Sequence, residues 1–168
     1  MPVEIERKFL LTRPPSLRAL ERLRADIIHI DQTYLDVDGP ARVRVRRSRR
    51  DGVTTYTHTA KRKIGFGVRD ESETEITKNE YRALLSLADP TRRPIRKRRH
   101  VFGFSGLIFE LDEILAPRRL WLLEVELPTL DHLHLPLSLP PRLPAATEVT
   151  GSPRYSNAAL ARRCPDPR

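Results

Sequence analysis

The 168 residues contain one cysteine, Cys164, close to the C-terminus. Neither an intramolecular disulfide nor a thiolate metal cluster can be built from it. Aromatic residues make up only 6% of the chain, so the stacking platforms that hold single-stranded nucleic acid are sparse. No apolar run approaches the ~20 residues of a membrane span. The first strand-like stretch starts at residue 3, which leaves no room for a secretory leader before it. A cytoplasmic protein is therefore expected, with no membrane partner. Acidic residues fall short, at 22 against 31 Lys and Arg, and the net charge of +9 favours anionic partners. With 39% apolar residues in regular patterns, one domain with a real core is expected over residues 1–163, followed by a frayed tail at 164–168.

What the chain has in quantity is alternation. Across EIERKFL, Glu4, Glu6 and Lys8 share one face of a strand, opposite Val3, Ile5 and Phe9, with Arg7 the exception on the apolar side. Like charges about 7 Å apart on one face cost stability unless a cation lies between them. Arg42, Arg44 and Arg46 alternate with Val43 and Val45. Lys61 follows Thr57 and Thr59, opposite Tyr56, His58 and Ala60. Arg69, Glu71, Glu73 and Glu75 alternate with small or apolar residues, and Glu124 and Glu126 face away from Trp121, Leu123 and Val125.

Further strands are expected at 29–37, 95–102 and 108–114, and Asp51-Gly52 is a strong hairpin turn. Basic residues occupy both faces of IRKRRHVF at 95–102, which leaves its phase open. Helices are expected at 13–27, capped by Ser16 with a Leu17, Leu20, Leu23 and Ile27 stripe, at 78–89, and at 156–163. The Pro- and Leu-rich stretch 128–153 reads as an ordered wrap with a short helix. About eight strands with one charged and one apolar face predict an α+β fold. Its centre is a closed eight-stranded antiparallel β-barrel with a charged interior, flanked by helices that cover the apolar outside. That inverts the usual small barrel, whose interior is apolar.

Two Glu-x-Glu pairs, Glu4/Glu6 and Glu124/Glu126, with Asp112 on a strand between, form an oxygen-only donor set suited to Mg2+ or Mn2+. Lys8, Arg44, Arg46, Lys61, Lys97 and Arg99 supply the complement, with Arg able to grip phosphate oxygens bidentately. Taken singly, each signal has a plainer reading: a solvated Glu-x-Glu face, or an Arg-Val-Arg run that is an exposed basic strand. The Gly65-Phe66-Gly67 loop is weak as a phosphate cradle because no helix start follows it. The combination fits a ligand carrying several negative charges in a row.

The blocks E-I-E-R-K-F-L, Q-T-Y-L at 32–35, R-V-R-V-R at 42–46 and T-A-K ending at Lys61 occur in the order found in the CYTH superfamily, the triphosphate tunnel metalloenzymes. So do R-x-E-x-E at 69–73, I-x-K-x-R at 95–99, F-E-L-D at 109–112, L-L-E-V-E-L at 122–127 and the run at 148–157. The chain resembles the short single-domain bacterial inorganic triphosphatases of that group. The resemblance implies metal-dependent hydrolysis of inorganic triphosphate to pyrophosphate and phosphate, with a class IV-type adenylate cyclase or thiamine triphosphatase as alternatives on the same tunnel. Glu4, Glu6, Asp112, Glu124 and Glu126 would hold metal, and Glu4, Glu6, Lys8 and Lys97 would be catalytic. Lys8, Arg42, Arg44, Arg46, Lys61, Lys97 and Arg99 would bind phosphate, the register of the Arg42/Arg44/Arg46 set staying open. Glu71, Glu73 and Arg154 match positions whose role is open. The expected partner is a small triphosphate and not nucleic acid, and the family's dimers make a homodimer an expectation. A non-catalytic polyphosphate- or RNA-binding module is the reading from a different class.

Overall fold

The structure, a computed structural model, describes residues 3–162. Strands β1 (Val3–Leu11), β2 (Asp26–Tyr34), β3 (Arg42–Arg50), β4 (Val53–Gly65), β5 (Val68–Glu75), β6 (Ile95–Phe104), β7 (Leu107–Ala116) and β8 (Leu120–Glu126) make one antiparallel sheet. Its order is β5-β4-β3-β2-β6-β7-β8-β1, and β5 returns to pair with β1, closing the barrel. The closing seam is short: Val3↔Asp70, Glu4↔Arg69 and Ile5↔Val68. Beyond it, a short strand β9 (Ala146–Glu148) takes over the same edge of β1, pairing with Phe9–Leu11.

The hairpins form where the local chemistry asks for them. Asp51 and Gly52 both have positive φ, at 49° and 79°, which gives the turn the twist that suits two antiparallel strands. Gly67 has φ +65° and sits so close to the seam that an added Cβ would lie 2.9 Å from the Glu6 carbonyl oxygen. Its own carbonyl accepts a hydrogen bond from the Glu6 amide at 2.9 Å. Only glycine meets both demands at that point.

The apolar outer faces are buried under separate covers. Phe9, Leu111, Leu123 and Val125 pack with Phe102 and Phe109 beneath α1 (Leu17–Leu23) and the Pro/Leu-rich wrap, from which Leu133, Leu137, Leu139 and Leu143 reach in. On the other side, Val45, Leu35 and Tyr56 pack against Tyr81 and Leu84 of α2 (Lys78–Leu84). A third cluster fills one end of the barrel. Tyr34, Ile95, Ile114 and Leu122 point inward and receive Leu160 and Ala161 from the C-terminal α3 (Asn157–Leu160) and the residue after it.

Several expected elements differ in detail. The first helix is shorter than 13–27, because Arg24 caps it in the left-handed region at φ 50° and donates to the Glu21 carbonyl. Ile27 therefore lies on β2 and is exposed, and Leu17 is 79% exposed, so the expected stripe reduces to Leu20 and Leu23 beside a buried Ala19. The second strand starts three residues earlier than expected, and the helix expected at 78–89 is the shorter α2, followed by a 3-10 turn at Leu85–Leu87. The wrap carries a 3-10 turn at Leu130–Leu133 and the unforeseen β9. The expected tail at 164–168 lies outside the described residues.

Candidate active site

The inward side chains converge on a cavity of about 610 Å3. Among the described residues, seven carboxylates line it: Glu4, Glu6, Glu71, Glu73, Glu110, Glu124 and Glu126. Facing them are ten basic side chains, Lys8, Arg42, Arg44, Arg46, Lys61, Lys63, Arg69, Arg92, Arg99 and Arg162. The strand pairings dictate this meeting. Lys8 is opposite Glu124 and Glu6 opposite Glu126 across β1 and β8, Arg42 is opposite Lys61 across β3 and β4, and Lys61 is opposite Glu71 across β4 and β5.

Charges this buried survive only when paired. Lys8 Nζ is 2.7 Å from Glu124 and 3.8 Å from Glu6. Burial works against the Lys8 ammonium, but those two carboxylates outweigh it and raise its pKa. Burial likewise pushes Glu124 up, yet Lys8, Arg99 and Lys97 together hold it well below the usual carboxylate range. Lys61 bridges Glu4 and Glu71, the latter at 2.7 Å. Burial and the neighbouring Glu6 raise Glu4, with Lys61 opposing.

Arg44 and Arg46 are held more loosely. Their closest carboxylates, Glu71 and Glu73, lie 3.6 and 3.8 Å away, beyond a good hydrogen bond. The Nε of each is buried without a hydrogen-bond partner. Burial, then Arg44 and Arg99, lower Arg46 to about 10. Two guanidiniums, Arg44 buried and Arg46 half-buried, with donors to spare suit a multiply charged oxyanion. Arg42, the third of the set, is exposed at the rim with Glu126.

Two of the expected residues stand behind the cavity wall. Asp112 has no exposed surface: Arg99 donates to its two oxygens at 2.7 and 2.8 Å, and Lys97 donates at 2.5 Å. With both oxygens taken, Asp112 stands in this structure as the counter-ion of Arg99 and Lys97. Lys97, expected to touch phosphate, has a fully buried side chain and does not line the cavity. Burial and Arg99 lower it to about 8. Arg154 is exposed and outside the lining.

Sequence reasoning left other residues unassigned. Glu110 shares the inward phase of Asp112, lines the cavity and pairs with Arg99; burial raises its pKa despite that arginine. Arg69 shares the phase of Glu71 and Glu73 and pairs with Glu6. In both cases the period-of-two pattern was the available signal. Buried Gln32 connects the two halves of the interior, donating to the Tyr34 hydroxyl at 3.2 Å and accepting from Arg46 at 3.5 Å.

Among the described residues, no three carboxylates or histidines close on one point as a preformed metal centre. The donor chemistry nevertheless fits a hard divalent ion. It is oxygen-only, it is spread along one wall, and Glu126 at the rim has no ion-pair partner among the described residues.

A closed antiparallel barrel enclosing opposed walls of carboxylate and guanidinium defines a class of polyanion-binding barrels. The chain belongs to the CYTH-domain family, whose model matches residues 2–134. It is 32% identical to the inorganic triphosphatase of Acetivibrio thermocellus over 96% of this chain and 95% of that protein. The crystal structure of the inorganic triphosphatase NE1496 aligns with a TM-score of 0.60 at 30% identity, covering 98% of both chains. A putative adenylyl cyclase from Hippeastrum, described as having a dominant triphosphatase activity, shares the fold at 21% identity, with a TM-score of 0.55 over 77% of this chain and 82% of that one. No helix among the described residues is long and apolar enough to cross a membrane.

Proposed function

We propose that this protein hydrolyses inorganic triphosphate to pyrophosphate and phosphate with Mg2+ or Mn2+, and acts more weakly on nucleoside triphosphates. The observation that carries the reading is the pair of under-satisfied guanidiniums, Arg44 and Arg46, whose Nε atoms are buried without partners opposite a wall of carboxylates in one cavity. The similarity over nearly full length to inorganic triphosphatases, at 30–32% identity, supports it.

Glu4, Glu6, Glu124 and Glu126 would hold the metal, which when bound neutralises phosphate charge and acidifies a water molecule. Arg44, Arg46 and Lys61 would grip the phosphate chain, with Arg42 receiving it at the rim. Their fixed positions supply charge stabilisation without reorganisation, the main source of rate in phosphoryl transfer. Lys97 and Asp112 act as positioning residues, locking the plane of Arg99 from behind. Lys8 orients Glu6 and Glu124. Among the described residues Tyr34 is the one aromatic side chain in the lining, so the cavity offers little for an adenine ring. The same reading takes the protein to be cytoplasmic, with a small triphosphate rather than nucleic acid as its partner. The expected homodimer is checked by sedimentation.

Phosphate release from triphosphate, ATP and thiamine triphosphate, each with Mg2+, Mn2+ or EDTA, tests the proposal. Fast, metal-dependent release from inorganic triphosphate is expected. Cyclic AMP with pyrophosphate from ATP would overturn it in favour of a cyclase. No turnover of any substrate, with tight triphosphate binding, would leave a binding module.

A further inference from the structure

Arg69 lies at the barrel seam, directly opposite Glu4 across β1 and β5. Its guanidinium pairs with Glu6 and stands 4.0 Å from Glu4. Lys61 pairs with the same Glu4 oxygen, Oε2, that Arg69 faces. One oxygen of each of these carboxylates, Glu4 Oε2 and Glu6 Oε1, is thus already paired with the protein's own cations. A doubly charged ion arriving there meets an arginine already in contact with its ligands, and the two repel twice as strongly as unit charges would. Arg69 also has somewhere to go. Its side chain is 22% exposed, and both it and the loosely paired Arg44 line the same cavity.

We infer that Arg69 is a placeholder cation: it neutralises Glu4 and Glu6 while the cavity is empty and moves off them onto phosphate when a divalent ion binds. This rests on the functional reading above. The consequence is coupling. Metal binding frees a phosphate grip, and phosphate gives the displaced guanidinium a partner, so each ligand strengthens the other, as linkage requires. Metal alone and triphosphate alone both bind weakly. The seam that carries Arg69 is only three residue pairs long.

The test is Mn2+ binding to the protein without substrate, followed by electron paramagnetic resonance, in wild type, R69Q and R69K. R69Q is expected to bind Mn2+ about 5- to 10-fold more tightly, because no internal cation must leave, while R69K stays within about twofold of wild type. Unchanged or weaker Mn2+ binding in R69Q overturns the inference. Should R69Q fail to fold, the wild type still decides. The Arg69 guanidinium resonance in a nitrogen-15-labelled sample is expected to lose its carboxylate-paired character on Mg2+ addition before triphosphate is present, and a resonance indifferent to Mg2+ overturns the inference. Wild-type triphosphate hydrolysis, measured alongside, reports separately on the functional reading.

Discussion

The barrel interior has two halves built by the same strands in the same phase. On β1 the inward series runs Glu4, Glu6, Lys8 and then Leu10; on β8 it runs Glu126, Glu124 and then Leu122. On β7, Glu110 and Asp112 give way to Ile114, and on β6, Arg99 and Lys97 give way to Ile95. In the charged half the most deeply buried ions are paired, and burying ions adds little net stability. In the apolar half, Ile95, Ile114 and Leu122 are at most 1% exposed, each contributing roughly 1.5–3 kcal/mol of burial. One end of the barrel carries the charged cavity and the other end holds the barrel together. The two tasks separate along the barrel axis, a few residues apart.

The largest effect expected is at Glu126, which belongs wholly to the charged half. Glu126→Gln removes an exposed carboxylate that pairs with nothing among the described residues, so the melting temperature should stay within about 1–2 °C. Triphosphate turnover should fall by roughly 100-fold or more. Full activity in this variant would remove Glu126 from the metal set. Glu124→Gln sharpens the contrast: it strips buried Lys8 and Arg99 of a partner, so about 3–5 kcal/mol of stability should go along with activity.

Arg44→Gln comes next. Its guanidinium is bonded to no carboxylate closer than 3.6 Å, so the fold depends on it little. A fall of roughly 10- to 100-fold in kcat/KM for triphosphate is expected, with near-native thermal unfolding. A stability loss as large as the catalytic one would make Arg44 part of the scaffold.

Leu122→Ala probes the other half. Leu122 has no exposed surface and sits under α3, so truncation should cost about 2–5 kcal/mol. Below the melting transition, kcat/KM should stay within about threefold of wild type. A catalytic defect in the folded protein would show that the apolar end shapes the phosphate site.

The charged half was the more legible of the two. A carboxylate or arginine repeated every second residue announces a face, and the Glu-x-Glu pairs, Arg44, Arg46 and Lys61 are brought together by that rule alone. The apolar half was hidden because Leu10, Tyr34 and Leu122 look like any core residue. Nothing local says that they point inward, continuing the phase of Lys8 and Glu124, until α3 is seen resting on them. The strand at 95–102 was ambiguous because Arg96 and Arg98 are also basic; they face outward, and a register shift between Arg96 and Lys97 lies at the start of the strand. Strand β9 escaped notice because three residues after a Pro-rich wrap carry no period, and its pairing is set by the edge of β1 left uncovered beyond the seam. The depth of Asp112 and Lys97 was likewise invisible, since phase gives a face but not a layer.

Lys97 offers the smallest effect and the finest test of that layering. Burial and Arg99 depress it to about 8, whereas an unfolded lysine titrates near ~10.4. Between those values the unfolded chain binds a proton that the folded chain lacks, so stability from this group rises with pH across that window. It is complete above the unfolded value and lost as pH falls through about 8. Lys97→Met keeps the length of the side chain and deletes the titration, leaving Arg99 on both oxygens of Asp112. The stability of wild type relative to this variant should therefore climb by about 1–3 kcal/mol from pH 7 to pH 9.5, read by urea unfolding at each pH. Parallel curves would mean that Lys97 is not desolvated behind Arg99, and would return it to the cavity wall where it could touch phosphate directly.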